Sequence, residues 1–256
     1  MRPTIRVTAS LSPATDDRPS MIARLFWIAL AAGTLAGLLA ASVQAFGVWP
    51  LIAVAETFET AAEIEDHAGH GHDWSPEGAM RAGLSVLFDV LTGIGFALLA
   101  NAGLLVVRAA RGLTLDWRAG LGIGAFGFAA FAFAPAMGVA PALPGMAEGD
   151  LLARQIWWVA TAAATLVGIG AMAFAVRPWH WALGLLVVAL PHAVGAPGEA
   201  MGLPSLMAQS GALGDSGVTA ELAQHFALAS LGAMAAFWIA LGLGSATLQR
   251  RYLRIA

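Results

Sequence analysis

The chain has 256 residues, of which 59% are hydrophobic and only 11% charged, with a mean hydropathy of +0.74 and a net charge of −3. Soluble domains carry about 25% charged residues, so this composition excludes a water-soluble globular protein and specifies an integral membrane protein. Cysteine is absent, which rules out disulfides, iron–sulfur clusters and thiolate metal centres, and all thirteen basic residues are arginine.

Residues 1–20 contain Arg2, Arg6, Arg18, Asp16, Asp17, Pro3, Pro13 and Pro19 and show no hydrophobic period. They are expected to be a disordered extension, with Met21 reading as an alternative natural start. Residues 21–256 are expected to form a single transmembrane helical domain. Leu25–Val48 is the first apolar run, long enough for a ~30 Å hydrocarbon core, which needs about 20 residues. Within it, Gly33-Thr-Leu-Ala-Gly37 is a close-approach pattern for helix pairing. Arg24, the apolar stretch and Val43-Gln-Ala45 also resemble a secretory signal with a cleavage site. Hydrophobicity continues past Ala45 through Phe46, Val48, Trp49 and Leu51–Ala55, which favours an uncleaved helix.

A polar segment follows, Glu56-Thr-Phe-Glu59-Thr-Ala-Ala-Glu63-Ile-Glu65-Asp66-His67-Ala-Gly-His70-Gly-His72-Asp73, within an extracytoplasmic loop at about 56–81. His67, His70 and His72 are spaced i, i+3, i+5, and Gly69 and Gly71 let the backbone fold them around one ion. Imidazole with carboxylate suits Co²⁺, Ni²⁺, Zn²⁺ or Cu²⁺ better than Mg²⁺ or Ca²⁺. The candidate ligands are therefore His67, His70, His72, Asp66 and Asp73; the plain alternative is a solvated loop. Glu56, Glu59 and Glu63 fall on one face of a helix continuing out of the membrane. They read either as an acidic ladder towards the bilayer or as an ordinary solvated face.

Further apolar runs occupy Ala82–Val107, Gly120–Val139, Ile156–Val176, Trp179–Val194 and Phe226–Leu248. The predicted fold class is thus an all-α membrane bundle of about six transmembrane helices. The fifth run is short and ends in Pro191-His192, so it reads as a full span or as a broken, re-entrant helix. Gly122-Ile-Gly124-Ala-Phe-Gly127 matches a dinucleotide fingerprint, but no strand precedes it, and helix packing explains it better.

Six spans sort the arginines. With the N-terminus inside, eleven of the thirteen fall on the inner side and only Arg81 and Arg154 outside. This is a strong positive-inside bias and places both termini in the cytoplasm of a multi-pass protein of the bacterial inner membrane. His67, His70, His72, His192 and His225 then lie on the outer side and His180 on the inner side.

Asp89 lies seven residues into the second span, about 10 Å along the axis. A carboxylate at that depth costs about 2.5–3.5 kcal/mol on insertion scales and usually faces a bundle interior or a water cavity. It reads as lining an ion path with Glu56 and Glu59, or as a structural hydrogen-bond acceptor. Thr92 lies near it, whereas Asn101 is deeper and rotated away. Asp150 reads as a helix N-cap with Arg154 one turn on, and Trp157 and Trp158 as an interface belt. His192 and His225 read as packing residues or as further metal contacts on the same side as the tract.

Several spaced motifs resemble the CbtA family of cobalt-transporter subunits. They are Pro50-Leu-Ile…Ala55-Glu56…Glu59, Gly93-Ile-Gly-Phe-Ala97-Leu, Pro141…Pro144-Gly145…Asp150-Leu…Arg154-Gln155-Ile-Trp157-Trp158, and Pro191-His192…Gly195-Ala-Pro197. The likeness runs from Met21 to the C-terminus. It implies import of cobalt for cobalamin synthesis, with a small one-helix CbtB partner bearing a histidine-rich tail. The histidine tract here reads as a local elaboration, since loops vary freely.

The expected function is therefore a transition-metal transporter subunit, with Co²⁺ as cargo and Ni²⁺ or Zn²⁺ as alternatives, and no permanently bound cofactor. The competing readings are a metal-binding membrane enzyme or sensor, and a structural membrane subunit with an incidental tract. No HExxH and no GxxxxGK[ST] occurs, which speaks against an enzyme and against a built-in ATPase. The expected partners are the lipid bilayer and a CbtB-like subunit, with no nucleic acid.

Overall fold

The computed structural model describes residues 20–63, 76–144, 146, 149–198, 200–213 and 217–253, with the backbone alone for 59–63, 76 and 77. Their order is α1 (Met21–Gly47), α2 (Trp49–Glu63), α3 (Pro76–Arg111), α4 (Trp117–Phe128), a π-helical stretch (Ala129–Phe133) and α5 (Ala134–Gly138). After these come α6 (Leu151–Ala173), α7 (Pro178–Val194), α8 (Leu203–Met207) and α9 (Ala220–Tyr252). Among the described residues the only β pairing is an isolated bridge between Ala212 and Thr219.

Side-chain caps fix several helix starts by satisfying backbone N–H groups that have no partner inside the helix. Ser20 accepts from the Ala23 N–H at 3.2 Å, Asp116 from Arg118 and Ala119, both at 3.0 Å, and Thr219 from Leu222 at 3.2 Å. Asp150 takes its expected capping place, accepting from the Leu152 N–H at 2.9 Å.

Among the described residues, five stretches are long and apolar enough to cross a bilayer: Met21–Gly47, Gly78–Arg111, Trp117–Gly138, Leu151–Ala173 and Ala220–Tyr252. The fifth apolar run forms α7, which has 17 residues and a length of ~25 Å at 1.5 Å per residue. It is continuous through Pro191 rather than broken. The interrupted span is the third one instead. Pro135 has no N–H to give and its ring crowds the carbonyl one turn back, and the π-helical stretch lies immediately before it. The first apolar run is a continuous helix past Ala45, with Ala29, Ala32, Ala36 and Ala40 buried in the bundle. It ends at Gly47, so the glutamates sit on a separate helix, α2, and not on an extension of α1.

Helix packing rests on small residues. Lipid offers no hydrophobic drive between helices, so close backbone approach and dispersion have to hold them. A Cβ on Gly33 would lie 2.5 Å from the Ile94 backbone, and one on Gly93 would lie 2.3 Å from the Gly33 carbonyl. Gly37 sits equally tightly on the Asp89 backbone. The expected Gly33–Gly37 pattern is therefore the antiparallel seam between α1 and α3. On the other side of α9, Gly120 meets Gly242, and Gly124 and Gly127 meet Trp238, which confirms a packing role for that glycine motif. Gly168 and Gly184 join α6 to α7 in the same manner. Between α3, the π-helical stretch and α9, Phe96, Phe131, Phe237 and Trp238 form an aromatic layer, with Phe131 stacked on Trp238 at 5.6 Å. Leu84, Leu87, Phe88, Leu91 and Leu98 of α3 stay exposed, as a lipid-facing surface requires.

At the end where α2 lies, the connecting segments fold into a cap around Val48, Ala55, Leu143, Leu206, Val218 and Phe226. The Ala140 N–H donates to the Met201 carbonyl at 2.9 Å, and Gln224 Nε2 donates to the Leu206 and Gln209 carbonyls at 2.9 and 3.0 Å.

The seam makes a differential prediction within one helix. Gly93→Val should destabilise the protein by at least the ~1–3 kcal/mol typical of overpacking. Gly95→Ala, where a Cβ meets nothing within 4 Å, should be neutral or gain up to ~1 kcal/mol. Thermal unfolding in detergent measures both; equal midpoints would remove the seam from the account.

Candidate functional site

Between the end of α1, α2 and the start of α3 lies an open cleft of about 480 Å³, lined by residues that include Ala45, Trp49, Ile52, Glu56, Arg81 and Ser85. Three α3 side chains run inward from its mouth at i, i+4, i+8: Arg81, Ser85 and Asp89. This spacing puts them on one helical stripe.

At the mouth, Arg81 Nη1 donates to Glu56 Oε1 at 2.9 Å and bridges α3 to α2. The two side chains are 66% and 31% exposed. Such a pair adds at most ~1 kcal/mol to stability, and its larger effect is to cancel charge at the entrance. One turn further in, Ser85 Oγ donates to the Arg81 carbonyl at 3.1 Å.

Asp89 lies half-buried at the foot of this stripe, and its Oδ2 accepts from Gln44 Nε2 at 3.0 Å. Gln44 and Asp89 do not themselves line the cleft; the pair joins α1 to α3 next to Ala45 and one turn beyond Ser85, which do. The amide orients the carboxylate without supplying a countercharge to it. Thr92 is half-buried one turn beyond. A carboxylate with neutral amide and hydroxyl oxygens around it can receive a partly hydrated divalent cation and release it again. Metal held permanently requires more anionic or imidazole ligands than this.

The remaining predicted residues are placed as follows. His67, His70, His72, Asp66 and Asp73 lie outside the described residues, in the connection between α2 and α3, the two helices that flank the cleft. Glu59 belongs to α2, one turn after Glu56. His192 stands at the end of α7, edge-on to Trp157 with ring centroids 5.7 Å apart, while Trp157 Nε1 donates to the Pro191 carbonyl at 3.3 Å. His225 is exposed on α9. Neither of these two histidines lines the cleft. His180 Nδ1 accepts from the Arg177 N–H at 3.1 Å and helps cap α7. Among the described residues, no three His, Asp or Glu side chains come together as a metal set.

Sequence reasoning missed two partners. Gln44 carried a signal: it is an amide near the outer end of the first apolar run, at a depth comparable to the carboxylate of the second. Gln249 lies just beyond the last apolar run and reads there as an end residue. In the structure its Nε2 donates to Asn101 Oδ1 at 2.8 Å and to the Asn101 carbonyl at 3.1 Å, entirely inside the bundle.

Comparison with known proteins bears on this arrangement. Searches of curated proteins and of solved structures found no match. The family model described as "Probable cobalt transporter subunit (CbtA)" matches residues 22–250, a stretch that takes in the α1–α3 seam, the cleft, Asp89 and the Asn101–Gln249 pair. The chain therefore belongs to the CbtA family.

Proposed function

We propose that this protein is the membrane-spanning subunit of a cobalt uptake system, in which Co²⁺ enters by the cleft between α1, α2 and α3 and passes Asp89. The observation that carries this reading is the Gln44–Asp89 pair, one turn along α3 from Ser85 in the cleft wall. A carboxylate inside a span is costly to insert, and one aimed at a helix interface below an open cleft fits a cation path. At 4 Å and an effective dielectric of 20, each unit charge contributes ~4 kcal/mol of attraction.

Direction follows from charge. The antiparallel packing puts Arg24, Arg108, Arg111, Arg118, Arg177, Arg250 and Arg251 at one end of the bundle and Arg81 and Arg154 at the other. By the positive-inside rule the arginine-rich end faces the cytoplasm of a bacterial inner membrane, and the cleft opens outside. The inside-negative potential then draws cations inward, at ~2.3 kcal/mol per charge per 100 mV. His67, His70 and His72, with Asp66 and Asp73, gather ions for the cleft, and Glu56 exchanges its Arg81 partner for the incoming ion. His192 and His225 sit apart from the cleft and are assigned packing and surface roles. A CbtB-like helix is the expected partner, and Ni²⁺ and Zn²⁺ are the competing cargoes.

Two variants separate these roles. Asp89→Asn keeps an oxygen for Gln44 but removes the charge, so the protein should remain abundant while uptake falls about tenfold or more, equivalent to ~1.4 kcal/mol on the barrier. Undiminished radiolabelled Co²⁺ uptake at normal abundance would take Asp89 out of the mechanism.

Replacing His67, His70 and His72 together by alanine should behave differently. Ordering a glycine-rich segment costs ~1–2 kcal/mol per residue fixed, so the tract suits weak capture. The Co²⁺ concentration for half-maximal uptake should rise while the maximal rate holds. Unchanged uptake at limiting Co²⁺ would make the tract a solvated loop.

A further inference from the structure

Towards the arginine-rich end of the bundle, α9 carries Leu241, Ser245 and Gln249 at i, i+4, i+8, again one stripe. Leu241 packs into the alanine layer of Ala29, Ala36, Ala97 and Ala100 from α1 and α3. The next two turns replace leucine with polar groups, although Ser245 and Gln249 are both 0% exposed and the facing Asn101 only 2%. The other buried polar side chains among the described residues, Thr161 and Thr165, donate to carbonyls of their own helix. Ser245 does not: its Oγ has no hydrogen-bond partner among the described residues, and neither do Asn101 Nδ2 and Gln249 Oε1.

These three atoms form a complementary set, consisting of one donor, one acceptor and one hydroxyl able to be either. Exchanging oxygen and nitrogen in both amides still leaves one donor and one acceptor. A bare cation would need acceptors only. Water both donates and accepts, and buried waters characteristically join about three such groups. Stability alone does not account for the cluster, because apolar residues of similar volume fill a bundle core equally well or better. Asn101 lies on the same helix as Asp89, twelve residues further in, which is ~18 Å along the axis. Leu104, one turn on from Asn101, and Ala246, next to Ser245 in the chain, pack with Leu115. Beyond them an open cleft of about 670 Å³ carries Asp116, Arg108 and Arg250.

We infer that Asn101, Ser245 and Gln249 form an internal water-binding site between α3 and α9 and that it rehydrates the cation as it leaves Asp89. The site is the inner station of the path, and in this role it rests on the transport reading above. A divalent ion gives up its hydration shell only reluctantly, so water held in the inner half shortens the apolar stretch that it must cross.

The test uses the triple variant Asn101→Leu, Ser245→Ala, Gln249→Leu, which removes all three orphan atoms at once and leaves no lone polar group behind. Abundance and thermal stability should equal or exceed wild type, while radiolabelled Co²⁺ uptake at saturating Co²⁺ falls at least tenfold. If wild type itself raises no uptake, the transport reading fails and the water site stands or falls on labelling. Should wild type transport and the triple variant match its maximal rate, the inner station is refuted. Radiolytic hydroxyl labelling of the wild-type protein decides the site independently, even where the triple variant does not fold. Leu104 and Leu241, 1% and 0% exposed, should be modified by water bound beside them, and their complete protection would overturn the proposal.

Discussion

The backbone contact between α1 and α3 sets everything that follows from it. Gly33 lies against Gly93 and Ile94, and Gly37 against Asp89 and Val90, with no room for a side chain at either place. In lipid this contact substitutes for the hydrophobic effect, which cannot distinguish a helix from an acyl chain. It also fixes the axial register of two antiparallel helices. Gln44 is two turns beyond Gly37 on α1, and that register brings its amide to the Asp89 carboxylate. A larger residue in the seam would push the helices apart and separate this pair before it unfolded the protein. The alanine face of α1 then receives α9, and α9 carries α4 on its far side through Gly120, Gly124 and Gly242.

Polar groups are sparse inside this frame, and their spacing is orderly. Glu56 and Arg81 stand in the cleft, Gln44 and Asp89 one turn along α3 from its wall at Ser85, and Asn101, Ser245 and Gln249 further along α3 and α9. Around them the bundle is alanine, glycine and aromatic rings. The π-helical stretch before Pro135 lets Phe131 lie flat on Trp238 and supports the aromatic layer behind α3.

Much of the architecture was legible from composition and period. Five of the six apolar runs, the Gly33–Gly37 pattern and the Asp150 cap are local properties, and each is found as expected. The π-helical stretch was also local, signalled by Pro135, but an apolar run hides a defect that leaves its hydropathy unchanged. The cap around Leu143, Leu206 and Val218 joins segments distant in the chain, and no periodicity announces such pairing. The same holds for the partners of the site. Asp89 stands out as a charge in an apolar run, whereas Gln44 and Gln249 sit near span ends, where amides are ordinary. Only the register of the folded helices makes them partners. The histidine tract is the reverse case, conspicuous in sequence yet outside the described residues.

The central claim is that the cleft above Asp89 opens to the outer medium and admits the cation. The chain contains no cysteine, so Ser85→Cys places a single thiol in the cleft wall, one turn above Asp89. Its labelling rate by a membrane-impermeant maleimide, measured on intact spheroplasts with and without Co²⁺, is the most direct test. Labelling should proceed from outside, slow several-fold with Co²⁺, and lose that protection when Asp89→Asn is added. A thiol that is sealed from the outside, or one protected equally well without the carboxylate, would contradict the account.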